Sequence, residues 1–456
     1  MIELISTSNF FHRHETLRSF ASNPEAERIF SPQASLRRWL DVAKALAEVE
    51  AELGVIPKEA GEEIGRRANL DEFNLDAAVK KVKITKHPVV AMVWGLKSAC
   101  KPERLGEYVH WGVTTQDIVD TGVSLQLKEY IAWLEGALIR LRTALIKVAR
   151  FHRATIMAAR THGQLADPTT LGFKFGVWIE ELSRHMERLQ QAKPRILVGN
   201  LTGAVGTFAA MGKKGLRIQE LTLKRLGLGV PSICDASARD GSAEFANLLA
   251  MIATTLSKTG NEVYNLQRTE ISELEEPVSP GAVGSSTMPH KRNPFLCEGL
   301  VSDGNLARRL AGYVTDGMII EHERDFMGLG NGIQAIPTLC CIVAHMLDVA
   351  IAVIEGLSVH SKQMLQNLNI KGGMIFSEAV AFVLAKKVGR QTAHEIVYRA
   401  AMKAFEQDKP FKEAILSDAE VREHLTEEEV EKAMNPSNYL GLAIEVVDRI
   451  LAKYKE

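Results

Sequence analysis

The sequence has few cysteines and no long apolar run, and each absence excludes a class of protein. Its five cysteines form no CxxC pair and no zinc-type spacing, so we expect buried thiols in a reduced compartment, without disulfides or a metal site. No stretch of 18 apolar residues occurs, and the first residues are polar where a signal peptide would be apolar. We therefore expect a cytoplasmic protein that neither spans nor binds a membrane.

A net charge of one sign and a cofactor motif are also missing. The 55 basic and 56 acidic side chains nearly cancel, so the chain has no bulk attraction to nucleic acid or to anionic lipid. The glycine-containing strings AVG and GLGNG lack the strand–helix context of a dinucleotide-binding fold. We expect no cofactor, no metal and no nucleic-acid partner.

Proline is absent from three long windows, and these windows carry helical patterns. No proline occurs between Pro102 and Pro168, and the stretch from Thr115 to Arg153 could form one helix about 60 Å long. Helices of this length imply an elongated bundle, so the predicted fold class is all-α. Two apolar stripes recur at three- and four-residue spacing. They consist of Val123, Leu127, Tyr130, Leu134, Leu138, Leu141 and Leu145, and of Phe245, Leu248, Leu249, Ile252 and Leu256.

Helix length divides the chain into three predicted regions. Residues 1–111 contain shorter helical segments, residues 112–363 the long helices, and residues 364–456 shorter helices with a charged surface. The shorter predicted helices are Gln33–Leu53, Lys58–Ala68, Asn74–Val82, Ser377–Val388 and Glu427–Met434. The charge run at the start of the last one is typical of a solvated helix N-terminus.

One loop between helical windows concentrates chemically active side chains. Residues 278–294 read VSPGAVGSSTMPHKRNP, with hydroxyl, imidazole, ammonium, guanidinium and amide groups among small residues. A loop of this length inside a compact helical protein is usually functional, and its glycines permit backbone geometry that cradles an anion. On composition alone, a flexible surface connector fits these residues equally well.

Three segments closely resemble motifs of the fumarase/aspartase superfamily, and they occur in the family's order. GSSTMPHKRNP resembles its catalytic loop, YVHWGVTTQDIVDT (108–121) its first conserved region, and AARTHGQLADPTT (158–170) its second. The resemblance covers the chain from about Pro24 onward. It implies a helical fold and elimination next to a carboxylate, usually with release of fumarate.

Such an elimination needs a base, an acid and cationic or N–H donors where negative charge develops. The resemblance implies Ser285 as the base, activated within a loop that closes over substrate, and His162 as the general acid. Glu298 matches the carboxylate that pairs with this histidine, and Lys291 matches the cation that holds the charged carboxylate. These four residues are the predicted catalytic set.

The resemblance also implies a set of substrate-binding residues. Asn293 would hold a carboxylate with Lys291, and Met288 would contact substrate through its backbone. A histidine and paired hydroxyls of the first region would bind substrate carboxylates. The full predicted set is His87, His110, Thr114, Thr115, Thr161, Gln164, Ser286, Met288, Asn293 and Arg324. Thr161, Gln164 and Lys86 are second-rank candidates, which support the reaction and do not react themselves.

Details within the superfamily favour the adenylosuccinate lyase branch but argue against a nucleotide substrate. ITKHPVVA (84–91) resembles that branch, and bacterial muconate cycloisomerases commonly lack a histidine at the position of His162. The branch's phosphate-binding residues are replaced by apolar ones, which removes charge-assisted hydrogen bonds worth about 1.5–3 kcal/mol each. The replaced positions are Phe20, Ala21, Leu329 and Ile333, and Ala238 stands where a glutamine contacts the nucleotide.

The sequence therefore predicts a carbon–nitrogen lyase that releases fumarate from a non-nucleotide N-substituted aspartate. The leading alternative is a 3-carboxy-cis,cis-muconate cycloisomerase, adenylosuccinate lyase proper is third, and a non-catalytic structural relative is the remaining one. The motifs lie far apart on long helices, and the resemblance implies a homotetramer whose active sites are each shared among three subunits. The predicted partner is thus a small dicarboxylate substrate.

Overall fold

The predicted all-α class is confirmed by the computed structural model of the chain, which describes residues 23–233, 236–278, 281, 285 and 287–454. Eighteen α-helices lie within those ranges. They are α1 (Pro24–Ile29), α2 (Pro32–Glu52), α3 (Lys58–Arg67), α4 (Leu75–Thr85), α5 (Pro88–Ala99), α6 (Thr115–Phe151), α7 (Leu171–Ile196), α8 (Gly215–Leu226), α9 (Asp240–Gln267), α10 (Phe295–Asp316), α11 (Met327–Glu355), α12 (Ser361–Asn367), α13 (Ser377–Val388), α14 (Arg390–Glu406), α15 (Phe411–Ser417), α16 (Ala419–His424), α17 (Glu427–Ala433) and α18 (Ala443–Lys453).

Four short strands form two antiparallel pairs in the described part of the chain. Strand β1 (Ile156–Thr161) pairs with β2 (Gln164–Thr170), and β3 (Leu274–Glu275) pairs with β4 (Ser358–Val359). The 3₁₀ turns are Glu103–Tyr108, Gly212–Lys214, Met374–Phe376 and Pro436–Asn438.

The helices predicted from sequence periodicity begin and end within three residues of the observed ones. The predicted long helix is α6, which contains 37 residues. Six of the seven residues in its apolar stripe are buried, and the stripe of α9 is buried throughout. The spacing of apolar side chains therefore identified the buried faces correctly.

Local capping explains several of these helix ends. Ser31 caps α2 by accepting the Ala34 N–H, and Asn74 caps α4 by accepting the Ala77 N–H. Thr426 and Glu429 form a reciprocal capping box at α17, where acidic side chains also favour the positive end of the helix dipole. The charge run there is thus the solvated helix start that the sequence predicted.

The packing divides the described chain into two compact units. Unit 1 contains the residues up to Ile139, Arg184–Ser257 and Leu300–Val349. Unit 2 contains Arg140–Ser183, Lys258–Gly299 and the residues from Ala350 onward. These bounds differ from those of the three predicted regions, and the three-region division stays a prediction.

Unit 1 has a large apolar core built on α2, α3, α5 and the start of α6. Leu40, Ile64, Met92 and Leu96 are fully buried in it. The Tyr130 hydroxyl, also fully buried, donates a hydrogen bond to the Cys340 carbonyl oxygen at 2.8 Å. Burial of this phenol is tolerated because its polar atom has a partner.

Unit 2 has a core among its C-terminal helices and a smaller cluster beside the β1–β2 hairpin. Val380, Phe411 and Ile415 are fully buried among α13 to α17. The hairpin packs its Ala158 against Ile375 and Phe376. This contact fixes one face of the hairpin and leaves its turn exposed.

The apolar helix α11 and the described cysteines are largely buried. Among the described residues, α11 is the one helix long and apolar enough to cross a membrane, and two-thirds of its most apolar window is buried, as in a core helix. The described cysteines are free and buried, as predicted, and Cys234 lies outside the described residues. These are Cys100, Cys297, Cys340 and Cys341.

Candidate active site

In unit 1, two predicted binding residues lie at the junction of α4 and α5. Lys86 ends α4 with a left-handed backbone, at a φ of 55°. His87 follows as the residue that caps α5, and Pro88 starts that helix because its fixed φ suits the first turn. Both side chains are exposed and line one cavity of about 750 Å³.

The first motif forms a tight turn before α6. His110 has a φ of 66° and Gly112 a φ of 73°, and a side chain at Gly112 would collide with Met211. The Asp117 carboxylate, fully buried, accepts N–H bonds from Thr114, Thr202 and Gly203 at 2.9–3.1 Å. Asp117 therefore fixes the position of the predicted Thr114–Thr115 pair.

Burial makes His110 a neutral group. It lowers the pKa of His110 to about 4, with a further contribution from the charge of His87. The Nδ1 atom is buried and has no hydrogen-bond partner among the described residues. A neutral imidazole with an open polar atom can accept or donate one hydrogen bond to a ligand.

The same cavity contains a third predicted residue. Arg324 lines it together with His87 and Thr115, and its Nη1 donates to Thr114 Oγ1 at 3.2 Å. Leu329 and Ile333 line it as well. The structure thus brings His87, Thr115 and Arg324 together beside an apolar wall.

In unit 2, His162 lies in the turn of the β1–β2 hairpin. Thr161 pairs with Gln164, so His162 and Gly163 form a two-residue turn with φ of 52° and 75°. Two positive φ angles match the twist of a hairpin. Thr161, His162 and Gln164 are all exposed at this tip.

A buried ion pair holds this hairpin. Glu273 is fully buried and accepts two hydrogen bonds from Arg160, the second residue before His162, at 2.7 and 3.1 Å. Asn367 Nδ2 donates to the same carboxylate at 2.7 Å. A buried charge that is paired and hydrogen-bonded in this way keeps one geometry.

In the predicted catalytic loop, Ser285 lies beside backbone N–H donors. The Oγ of this half-buried serine accepts N–H bonds from Met288 at 3.1 Å and from Thr287 at 3.3 Å. Donors aimed at a hydroxyl oxygen stabilise its anionic form. Ser286, the other predicted serine, lies outside the described residues.

The end of the loop is anchored to β3 and its flanking residue. Arg292 donates to Glu275 at 2.7 Å, and His360 Nε2 lies 3.6 Å from the same carboxylate. The Glu276 carboxylate accepts the N–H groups of Leu296 and Cys297 at 3.0 and 2.8 Å, so it caps the start of α10. Three closely spaced glutamates thus fix three neighbouring segments.

The remaining predicted residues of unit 2 lie on both sides of this anchor in the sequence. Lys291, Met288 and Glu298 are exposed, and Asn293 is half-buried. Glu298 lies in the first turn of α10. In the part of the chain that the structure describes, no ion pair or hydrogen bond joins His162 to Glu298.

Sequence reasoning missed Asp117, Glu273, Glu275 and Glu276, none of which reacts in the predicted chemistry. The signal that could have found the glutamates is their density in TEISELEEP (269–277), just before the catalytic loop. Carboxylates crowded between an apolar helix and a functional loop need partners, and those partners are the arginines and N–H groups of that region.

Comparison with known proteins now places the chain in a family. The lyase family pattern matches residues 20–305, and the pattern of the adenylosuccinate lyase C-terminus matches residues 373–450. The chain belongs to this lyase family, within the fumarase/aspartase superfamily. The resemblance drawn from the three motifs is therefore confirmed.

Its relatives carry several activities. The chain is 41% identical to the N-acetyl-S-(2-succino)cysteine lyase of Dickeya dadantii, over 94% of each chain. It is 42% identical to the adenylosuccinate lyase of Methanocaldococcus jannaschii, over 95% of this chain and 94% of that protein. The 3-carboxy-cis,cis-muconate lactonizing enzyme of Pseudomonas putida matches with a TM-score of 0.89 and 31% identity, over 96% of this chain and 98% of that one.

These similarities support a lyase that releases fumarate. They do not single out carbon–nitrogen cleavage, because one relative is named for a sulfur-linked succinate.

Proposed function

We propose that the protein catalyses β-elimination from a 2-substituted succinate, releasing fumarate and a non-nucleotide leaving group. The observation that carries this is the unit 1 cavity, where His87, Thr115 and Arg324 share a wall with Leu329 and Ile333. Polar and cationic groups suit the succinate carboxylates. The apolar positions offer no hydrogen bonds to the phosphate of a nucleotide.

The first candidate substrate is an N-substituted aspartate, which loses an amine. The second is an S-substituted mercaptosuccinate, which loses a thiol and is favoured by the relative from Dickeya dadantii. A thiol leaves with less protonation than an amine, because its conjugate base is far more stable in water. Cycloisomerisation of a 3-carboxymuconate is the alternative, supported by the likeness to the Pseudomonas putida enzyme.

In this mechanism Ser285 removes a proton from the carbon beside one carboxylate. The N–H groups of Thr287 and Met288 stabilise its alkoxide, and Lys291 and Asn293 bind the carboxylate on which charge accumulates. The bond to the leaving nitrogen or sulfur then breaks, and His162 gives that atom a proton.

The remaining predicted residues support these steps. Thr161 and Gln164 flank the acid in the hairpin turn, and Ser286 and Met288 contact the substrate from the loop. His110, Thr114 and Thr115 bind the second carboxylate, with Arg324 directed to them by its bond to Thr114.

We further propose that Glu298 orients His162 from another subunit of a homotetramer. Each active site would then combine the unit 1 cavity of one chain with the hairpin and the loop of two others. The exposure of His162 and of Glu298 in a single chain supports this arrangement, since groups that meet across an interface are exposed before assembly. Residence in the cytoplasm remains a prediction.

The test is addition in the reverse direction. Fumarate is incubated with ammonia and a panel of amines, amino acids and thiols, and NMR follows its consumption by the wild type and by Ser285→Ala. Addition that depends on Ser285 supports the lyase and identifies the leaving group. If fumarate is not consumed with any of these acceptors and 3-carboxymuconate is turned over, the protein is a cycloisomerase instead.

A further inference from the structure

The unit 1 cavity is lined by two cations to which the proposed mechanism assigns no role. Lys83 and Lys86 line it from the last turn and the end of α4. Both are exposed, and no carboxylate forms an ion pair with either one among the residues described. Two lysines that line one cavity without an ion-pair partner favour an anionic ligand there.

The acidic residue of the same wall, Asp325, forms no ion pair with either lysine among the described residues. The Asp325 carboxylate accepts N–H bonds from Glu321 and from Gly328, the latter at 3.0 Å. These bonds lower its pKa, the one from Glu321 most. Asp325 therefore serves the turn before α11, and its oxygens are already engaged.

The third cation of the wall is also engaged. Arg324 donates to Thr114, beside Thr115, where the proposed mechanism binds a succinate carboxylate. The two lysines lie on a different element: Lys83 is in the last turn of α4, and Lys86 is the residue that ends this helix. Lys83 and Lys86 are thus available to bind a negative charge on the leaving group.

The size of the cavity and its apolar lining residues indicate which kind of leaving group would fit. A volume of about 750 Å³ lies in the range of sites for drug-sized ligands, well beyond a four-carbon dicarboxylate. Val82, Val119, Leu329 and Ile333 provide the apolar surface. The leaving group should therefore have a short apolar body with an anionic end.

We propose that Lys83 and Lys86 bind a carboxylate carried by the leaving group, so that the substrate is a tricarboxylate. This inference rests on the proposed function, because it assumes that the cavity holds a 2-substituted succinate. The substrate class is a succinate joined through nitrogen or sulfur to a small acid, such as an amino acid or an acylated thiol acid.

The test compares substrates that differ only in this charge. Four adducts of fumarate are made, with N-acetylcysteine and its amide and with alanine and its amide. Fumarate release is measured for the wild type, for Lys83→Gln, for Lys86→Gln and for the double variant. Lys81→Gln is the matched control, since its ammonium lies 3.7 Å over the Trp94 ring and outside the cavity lining.

In the wild type, kcat/KM for the adduct of N-acetylcysteine or of alanine should be about tenfold or more above kcat/KM for the adduct of the corresponding amide. The double variant should bring this ratio close to one, and Lys81→Gln should keep the wild-type ratio. Equal kcat/KM for acid and amide in the wild type, or an unchanged ratio in the double variant, would overturn the carboxylate site.

Two further outcomes separate this inference from the function on which it rests. If none of the four adducts releases fumarate, the proposed function is wrong and the inference falls with it. If adenylosuccinate is turned over faster than every adduct, and this depends on both lysines, the lysines bind a phosphate and the carboxylate assignment is wrong.

Discussion

Two buried carboxyl groups of unit 1 show how hydrogen-bond partners affect the pKa of a buried acid. Asp117 accepts three backbone N–H bonds, and burial still raises its pKa to about 6. Glu50 is fully buried with no hydrogen-bond partner for either oxygen among the described residues, and burial raises its pKa to about 8. At neutral pH Asp117 is mostly ionised and Glu50 mostly protonated.

Glu50→Gln should stabilise the protein increasingly as the pH rises. The folded state holds the Glu50 proton up to pH 8, whereas the unfolded chain releases it near pH 4.5, so the wild type loses stability between these values. The slope is on the order of 1 kcal/mol per pH unit for one proton, and glutamine has no such proton to lose. Urea unfolding at pH 5 and pH 8 measures the difference, and a pH-independent effect of the substitution would contradict the assignment.

The role of His162 as a proton donor predicts a difference between leaving groups. His162→Asn should lower kcat by about 10²–10⁴ for an amine adduct of fumarate, because an amine must be protonated as it leaves. The loss should be clearly smaller for a thiol adduct, whose thiolate is a competent leaving group. Steady-state rates for the two adducts give the comparison. An equal loss for both would argue that His162 binds substrate without donating a proton.

At this scale the sequence predicted candidate reacting residues but not the residues that support them. Ser285 and His162 were predicted because they lie in motifs with fixed spacing. Asp117 and Glu273 act through partners that are 85 to 113 residues away in the chain, Thr202 and Arg160. Periodicity cannot supply such pairings, since they depend on how distant segments pack.

Among the elements, the short strand β3 and its flanking residues connect three candidate catalytic segments. Glu273 holds the hairpin of His162, Glu275 holds the end of the Ser285 loop through Arg292, and Glu276 caps α10. Side chains that fix catalytic groups in this way contribute through geometry, because small misplacements slow a reaction strongly.

Glu273→Gln should cost far more stability than the loss of an exposed ion pair. It leaves Arg160 without its charge partner in a buried site, which destabilises by about 3–5 kcal/mol. The matched control is Arg217→Gln, which removes the exposed pair with Glu220 and should cost under about 1 kcal/mol. Urea denaturation of both variants tests this. Equal small losses would show that Glu273 does not hold the hairpin.

Helices were predictable at this scale, and the hairpin was not. The periodicity of α6 extends over 37 residues and leaves little ambiguity. Strands β1 and β2 have six and seven residues without strict alternation of burial, and their register is irregular near Ala158. The turn needs a positive φ at both His162 and Gly163, and the sequence lacks there the Asn-Gly or Asp-Gly pair that marks such turns most strongly.

For the whole molecule, large exposed apolar side chains indicate surfaces that assemble. Phe151, Ile319 and Phe326 are 84%, 77% and 75% exposed. Phe151 ends α6, and Ile319 and Phe326 lie in the segment between α10 and α11. Apolar groups this exposed are typical of surfaces that pack against other chains. They support the proposed homotetramer with shared active sites.

Subunit complementation tests the sharing directly. Inactive Ser285→Ala and His162→Ala proteins are dissociated, mixed and reassociated. If the serine and the histidine of one site come from different chains, random mixing restores about a quarter of the sites. Fumarate release should therefore recover toward about a quarter of the wild-type rate. No recovery, despite mixed tetramers in native mass spectrometry, would place both residues in one chain.

The most direct test of the central claim follows fumarate formation from the N-acetylcysteine and alanine adducts by NMR. Wild-type protein should convert at least one of them to fumarate and the free leaving group, and Ser285→Ala should be slower by about 10²–10⁴ while keeping the wild-type circular dichroism. Equal rates for the two proteins, or turnover of 3-carboxymuconate with neither adduct converted, would contradict a serine-dependent, fumarate-releasing elimination.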